Sequence, residues 1–184
     1  MISARVTPLS DIERDALGEL SNIAMARAAN SLRQMVKYQV ILSVPSVEIV
    51  SKEAATGLLG KSNNPKLVAI RQDFTGAFSG RALLIFPEAS SLELVRVIVG
   101  RQLSLEDIVN LEDEALAETG NIILNSWIAT IANLLKSGLK MSLPTVVRGD
   151  SRQMFRSDEN QNLVLFLHIK FDINLGIWPS ENSN

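Results

Sequence analysis

The segment IERDALGELSNI, residues 12–23, returns once as LEDEALAETGNI, residues 111–122, and this return decides how the chain folds. The two copies stand 99 positions apart, and their ungapped correspondence runs over residues 12–48 and 111–147. It pairs Glu13 with Glu112, Ala16 with Ala115, Leu17 with Leu116, Glu19 with Glu118, Asn22 with Asn121 and Ile23 with Ile122. Further on it pairs Lys37 with Lys136, Ser43 with Ser142, Pro45 with Pro144 and Val47 with Val146. A helix-like block and a Ser-x-Pro-x-Val segment are copied together, so the chain reads as a duplicated unit carrying two related polar sites.

Each copy supplies its own punctuation. Ser10-x-x-Glu13 is a capping box, in which a serine oxygen and a carboxylate satisfy backbone donors at a helix start. A helix is predicted over 11–35, its larger apolar groups Ile12, Leu17, Leu20, Ile23, Leu32 and Met35 gathered mostly on one side at a step of about 100° per residue. Asp15, Glu19 and Asn22 fall on roughly the opposite side beside Gly18, Ala26 and Ala29, small groups that let another molecule approach closely. Residues 40–50 read as an edge strand or a strand bent at Pro45. Residues 51–66 read as an irregular crossover with one helical turn near Ala54. Residues 67–74 and 80–86 form an antiparallel hairpin, and a helix runs from Pro87 to Val99, closed by Gly100.

The second unit starts near Ser104, with a helix over 108–135 ended by Ser137-Gly138. It sets Glu114, Glu118 and Asn121 in the same stripe beside Ala117, Asn125 and Ala132. Residues 139–148 repeat the proline-bearing extended segment, 149–162 form a polar loop, 162–173 a strand, 174–178 a last short strand, and 179–184 a mobile tail. The expected fold is α+β: two helix-strand-loop-strand-strand units, about 10–86 and 104–178, related by a pseudo-twofold within a single domain. The long helices pack together on an antiparallel sheet, and the helix over 87–99 bridges the units.

Composition narrows the function. With 184 residues, 46% of them apolar and 21% charged, the chain is of ordinary globular make-up. A net charge of −2 argues against a nucleic-acid binder, which needs local excesses of Lys and Arg to neutralise phosphates. The absence of cysteine removes disulfides, thiolate zinc sites and cysteine nucleophiles, in keeping with a cytoplasmic location. Met1-Ile2-Ser3-Ala4-Arg5 lacks the apolar core of a signal peptide. The greasiest stretch, residues 122–135, is broken by Asn125, Ser126, Thr130 and Asn133 and falls short of the roughly 20 residues that cross a bilayer. No membrane contact is expected.

The repeated Glu-x-x-Asn carries the chemistry. On a helix the two side chains stand about 4.5 Å apart along the axis and about 60° apart around it, so both can address one bound group. A single such pair is an ordinary solvated face. Asparagine competes with the helix for backbone hydrogen bonds, however, so its placement mid-helix twice in register calls for more than solubility. A carboxamide is a poor base but can hold a water by accepting one hydrogen bond and donating another, the positioning role a glutamine plays in some phosphoryl-transfer sites. The glutamate can pair with a lysine of a partner surface. Neither residue binds phosphate strongly, so a phosphoryl group and its neutralising metal would arrive with the partner.

Asp15-x3-Glu19-x2-Asn22 followed by Pro45, and Glu114-x3-Glu118-x2-Asn121 followed by Pro144, resemble the signature of the CheC/CheX/FliY family of bacterial chemotaxis phosphatases, most closely two-site CheC. The resemblance covers most of the chain, including the strand and helix of 80–100, and is weakest after Gly149. It implies a hydrolase acting on the aspartyl phosphate of a CheY-type response regulator. Asn22 and Asn121 would orient the attacking water, and Glu19 and Glu118 would contact the regulator's lysine. No cofactor of the chain's own is implied, because the regulator brings Mg2+. A CheD-like partner fits the same resemblance, and a monomer or weak homodimer is expected. The alternative it leaves is a non-catalytic regulator-binding, flagellar-switch or adaptor module. Glu114 stands where Asp or Ser is usual, and Ser21 where glycine is common, whereas Gly120 keeps the glycine; two sites of unequal strength follow.

Other conspicuous residues read as structural. His168 is the only histidine, which leaves no second one for a typical metal cluster. Trp127 and Trp178 read as packing residues. Gly57, Gly60, Gly76 and Gly80 lack phosphate-loop spacing.

Overall fold

The protein is described by a computed structural model, which covers residues 9–36, 38–60, 66–99, 104–156 and 163–174. The first repeat supplies helix α1 (Asp11–Val36), strand β1 (Gln39–Ser51), helix α2 (Lys52–Leu59) and the hairpin β2 (Leu67–Gly76) and β3 (Gly80–Pro87). Helix α3 (Glu88–Val99) follows. The second repeat supplies α4 (Leu105–Leu134), β4 (Leu139–Met141), β5 (Thr145–Gly149), α5 (Ser151–Met154) and β6 (Leu163–Asn174). This is an α+β fold in which the long helices pack on each other and on antiparallel strands.

The strands pair across the repeats. β1 runs antiparallel to β6, while β2 pairs with β3 on one side and with β4 and β5 on the other. Two equivalent registers result: Leu42 lies opposite Phe171 and Met141 opposite Phe74, Val47 opposite Leu167 and Val146 opposite Ile70. Each pair maps onto its counterpart by the same two offsets, so the pairing itself has twofold symmetry. The halves are interlocked, since each contributes a strand that completes the other's sheet.

The proline segment takes the second of the two arrangements its sequence allows, a break at the proline. In β1 the register to β6 shifts between Ser43 and Ser46, leaving Val44 and Pro45 outside the ladder. In the second repeat the ladder stops at Met141 and resumes at Thr145, leaving Leu143 and Pro144 outside it. Proline has no N–H to give a ladder, and a bulge is where a strand tolerates it.

Several elements differ from the sequence expectation. The crossover after β1 begins with a helix of eight residues, α2, capped by Ser51 Oγ, which accepts from the Ala54 amide at 3.1 Å. Within the loop expected over 149–162, α5 forms behind an Asp150/Gln153 capping box. α4 starts three residues earlier than its apolar period suggests, because Ser104 Oγ accepts from the Asp107 amide at 3.1 Å. It ends at Leu134, one residue before the expected Leu135: Ser137 N–H bonds to the Ala132 carbonyl and Lys136 N–H to the Asn133 carbonyl, with Lys136 at φ 49°. Pro87 closes β3 and stands just before α3. Gly100, the expected last strand over 174–178 and the expected tail over 179–184 lie outside the described residues apart from Asn174, which ends β6.

The buried face of α1 also departs from the large-residue pattern. Ile12 and Ile23 are exposed at 82% and 41%, while Ser21, Ala24, Met25, Ala28, Leu32 and Val36 are buried. Ala24 and Ala28 enter the interior beside the larger Met25, Leu32 and Val36 where α1 packs against both β1 and α4. Its core partners are Val40, Leu42, Val44 and Val47 of β1, with Ile123 of α4. A second cluster joins Val68 and Ile70 of β2, Val95 of α3 and Leu116 and Leu124 of α4. The capping box at the start of α1 forms as read: the Ser10 amide donates to Glu13 Oε2 at 2.9 Å and the Glu13 amide to Ser10 Oγ at 3.3 Å. The Ser10 hydroxyl, which donates to Glu13 Oε2 at 2.7 Å, and the Ser10 amide together hold the Glu13 carboxyl below its ordinary range.

At the far end of the helix layer Arg148 of β5 gathers three carboxylates. It lies 2.7 Å from Asp113, 3.2 Å from Glu112 and 3.9 Å from Glu88, and Ser91 Oγ donates to Glu112 at 2.7 Å. The network fastens α3 and the start of α4 to the sheet, and the acidic neighbours push the guanidinium pKa up.

Candidate functional site: two carboxylate and carboxamide pairs

Glu19 and Asn22 are exposed on α1, and Asp15 and Ala26 share their open face. A Cβ built at Gly18, beside this stripe, meets nothing within 4 Å, so the surface is free for a visiting molecule. Glu118 is exposed on α4 and Asn121 is half-buried. Because Ile12 and Ile23 project to solvent beside the first stripe, and Leu111 does so at the equivalent of Ile12, apolar groups rim the polar pairs. Such a rim favours docking of a protein surface over a small ion.

The two asparagines are held differently. Val44 donates its N–H to Asn22 Oδ1 at 2.8 Å, and Asn22 Nδ2 reaches the Val44 carbonyl at 3.5 Å. Val44 has left the ladder at the bulge, so the carboxamide replaces the strand partner it lacks. This explains in physical terms why the first asparagine and Pro45 travel together: the proline makes the bulge and the asparagine pairs its backbone.

Asn121 does not touch the corresponding bulge residue, Leu143, which is 87% exposed where Val44 is 5% exposed. Gln72 of β2, only 1% exposed, intervenes. Its Nε2 donates to Asn121 Oδ1 at 3.0 Å and to the Ser142 carbonyl at 2.9 Å. Asn125 Nδ2, one turn further along α4, donates to the same Asn121 Oδ1 at 2.7 Å. Gln72 Oε1 and Asn125 Oδ1 are left buried without a partner among the described residues.

The residues preceding the asparagines serve packing. Ser21 is buried and accepts from Trp127 Nε1 at 3.0 Å, which ties α1 to α4. A Cβ at Gly120 would collide with the Ile70 side chain, so glycine there lets α4 lie directly on β2. Sequence reading missed Gln72 and treated Asn125 as a bystander small group. The signal for Gln72 was one polar residue amid the apolar alternation of β2; for Asn125 it was a second mid-helix asparagine four positions after Asn121.

The remaining candidates do not join these pairs. His168 is exposed on β6 opposite Ser46, and Trp127 packs against the first core cluster. Trp178 lies outside the described residues. A cavity of about 1490 Å3 opens between β3 and β6 over Leu84, Trp127 and Leu167, and neither Glu/Asn pair borders it. Its walls are chiefly apolar. Among the described residues no three His, Cys, Asp or Glu side chains converge as metal ligands, and no helix is long and apolar enough to cross a membrane.

An α+β body whose halves exchange strands, and whose two long helices each present a Glu-x-x-Asn pair, defines the class of CheC-type duplicated proteins. The chain belongs to the CheC/CheX/FliY family of chemotaxis phosphatases: the family described as "Chemotaxis phosphatase CheX" matches residues 68–168, and the "CheC-like family" matches residues 12–49. The flagellar motor switch phosphatase FliY of Bacillus subtilis is 22% identical over 173 residues, which cover 93% of this chain and 45% of that protein. The CheY-P phosphatase CheC of the same organism is 25% identical over 141 residues, covering 75% of this chain and 67% of that one. This chain thus spans under half the length of the first relative.

Solved structures share the fold. Thermotoga maritima FliY superposes with a TM-score of 0.72 at 19% identity, covering 92% of this chain and 86% of that one. The middle domain of Helicobacter pylori FliM gives 0.58 at 12% identity, covering 91% and 88%. A chain from the CheX-CheY-BeF3-Mg complex of Borrelia burgdorferi gives 0.50 at 16% identity, covering 83% and 89%.

Proposed function

We propose that this protein is a phosphatase that hydrolyses the aspartyl phosphate of a CheY-type response regulator. The observation that carries the reading is the Glu-x-x-Asn pair on each long helix, with Glu19, Asn22 and Glu118 exposed, Asn121 half-buried, and exposed isoleucine or leucine beside them. Glu19 and Glu118 register the regulator by pairing with its lysine, and Asn22 and Asn121 orient the attacking water. Water oxygen forms a bond to phosphorus as the bond from phosphorus to the aspartyl oxygen breaks. The electron pair stays on the aspartate carboxylate, and a water proton passes to phosphate or solvent. Little covalent chemistry falls to the protein in such a transfer, so positioning supplies the catalysis. Mg2+ belongs to the regulator in this scheme and neutralises the phosphoryl oxygens there.

Family membership and two relatives named as phosphatases support this reading. The structural relative whose title names a complex with CheY, BeF3 and Mg supports a CheY-type partner. A second reading, a regulator-binding or switch module without turnover, draws on the likeness to FliM middle domains. Phosphate release from a phosphorylated receiver separates the two. Release of many equivalents per protein molecule supports the phosphatase, whereas binding with an unchanged decay rate supports the module.

A further inference from the structure

The duplicated sites differ in a way that bears on which of them turns over. The Ser142 carbonyl can only accept, so the Gln72 atom 2.9 Å from it must be Nε2. That nitrogen also faces Asn121, so the facing Asn121 atom is Oδ1, and Asn125 must then present Nδ2. One backbone carbonyl thereby orients three side-chain amides, and it does so even though Gln72 Oε1 and Asn125 Oδ1 are left buried without donors. Both lone pairs of Asn121 Oδ1 are occupied. Asn22 Oδ1 receives only the Val44 amide among the described residues, which leaves one lone pair free.

Attack on phosphorus needs a water lone pair aimed at the phosphoryl group, so the water's hydrogens must point to acceptors. A carboxamide oxygen with a free lone pair meets that need. A carboxamide able only to donate ties up a water lone pair and lowers its nucleophilicity. The first repeat has Ala26 and Ile169 at the positions equivalent to Asn125 and Gln72, so it has no side-chain amides to saturate its asparagine.

We propose that Gln72 and Asn125 are positioning residues that hold Asn121 as a donor only, making the Glu19/Asn22 site the faster and the Glu118/Asn121 site a docking site of low turnover. This rests on the phosphatase reading. The test uses single-site proteins acting on a phosphorylated CheY-type receiver: Asn22→Ala leaves the second site, and Asn121→Ala leaves the first. Most of the phosphate release survives Asn121→Ala and is lost with Asn22→Ala. In the Asn22→Ala background, Asn125→Ala frees one lone pair and raises kcat about tenfold, the effect of one neutral hydrogen bond in the transition state, with KM unchanged. In the Asn121→Ala background, Ala26→Asn lowers kcat.

Asn125→Ala places in α4 the residue that α1 already carries at this position, and a thermal melt checks that each variant is folded. A merely structural Asn125 would give equal or lower kcat on truncation. Equal losses in the two single-site proteins, or an unchanged or lower second-site kcat on Asn125→Ala, overturn the proposal while the phosphatase reading stands. A wild-type protein that releases no phosphate overturns both.

Discussion

Replacing Asn22 and Asn121 together by alanine is expected to lower phosphate release from a phosphorylated receiver by on the order of 100-fold or more, the scale on which one preorganised polar group at a reacting centre acts. Affinity for the receiver should change little, because Glu19, Glu118 and the exposed Ile12, Ile23 and Leu111 remain. Asn22→Ala also strips the Val44 N–H of its 2.8 Å partner at the bulge. That loss costs about 1 kcal/mol, so a melting curve must accompany the kinetics. Equilibrium binding of the receiver and single-turnover decay, measured on one preparation, separate lost catalysis from lost docking. Unimpaired release in the double variant would remove the asparagines from the mechanism.

The second large effect concerns Gly120. A glycine inside an exposed helix is ordinarily improved by alanine by about 1 kcal/mol. Here a Cβ would meet Cβ, Cγ1 and Cγ2 of Ile70, a fully buried residue of β2. Gly120→Val is expected to cost about 3 kcal/mol, which for a chain of this size lowers the melting temperature by roughly 6–12 °C. The same wedge would push Asn121 off Gln72. Combining Gly120→Val with Ile70→Ala, itself destabilising, should cost clearly less than the two separate losses added together. Strict additivity, or a stabilised Gly120→Val protein, would show that α4 does not rest on β2 as described.

Much of this was legible in the sequence. The 99-residue repeat placed both long helices, and the prolines placed both breaks in the extended segments, because each depends on local chemistry: a capping serine, a missing N–H, an apolar period. Glu19, Asn22 and Glu118 are exposed, as the wheel geometry of Asp15, Glu19 and Asn22 indicated, whereas Asn121 is half-buried against Gln72. The buried side of α1 was misjudged because large apolar residues were assumed to go inside. Ile12 and Ile23 stay out and Ala24 and Ala28 go in where α1 lies close to its neighbours, while Leu32 is buried as expected. α5 was hidden, and α2 was read as a single turn near Ala54, because their stability comes from caps at Ser51 and Asp150 rather than from length.

Apart from Asn125, one turn after Asn121, the environment of each asparagine could not be read locally. Val44 lies 22 residues from Asn22, and Gln72 lies 49 from Asn121 on a strand of the other repeat. Only the exchange of strands between repeats brings Gln72 under α4. Identical Glu-x-x-Asn spacing therefore concealed two different hydrogen-bond settings, one built on a bulge and the other on a glutamine.

The most direct measurement of the central claim is where a receiver docks. Ile23, 41% exposed, sits next to Asn22 on α1, whereas Ile41, 49% exposed, lies on β1 with its side chain away from the helices. In methyl NMR of isoleucine-labelled protein, adding a beryllofluoride-activated CheY-type receiver should shift or broaden the Ile23 and Ile12 signals and leave Ile41 unchanged. Perturbation of Ile41 with Ile23 and Ile12 unmoved would place the receiver on the wrong face and contradict the account.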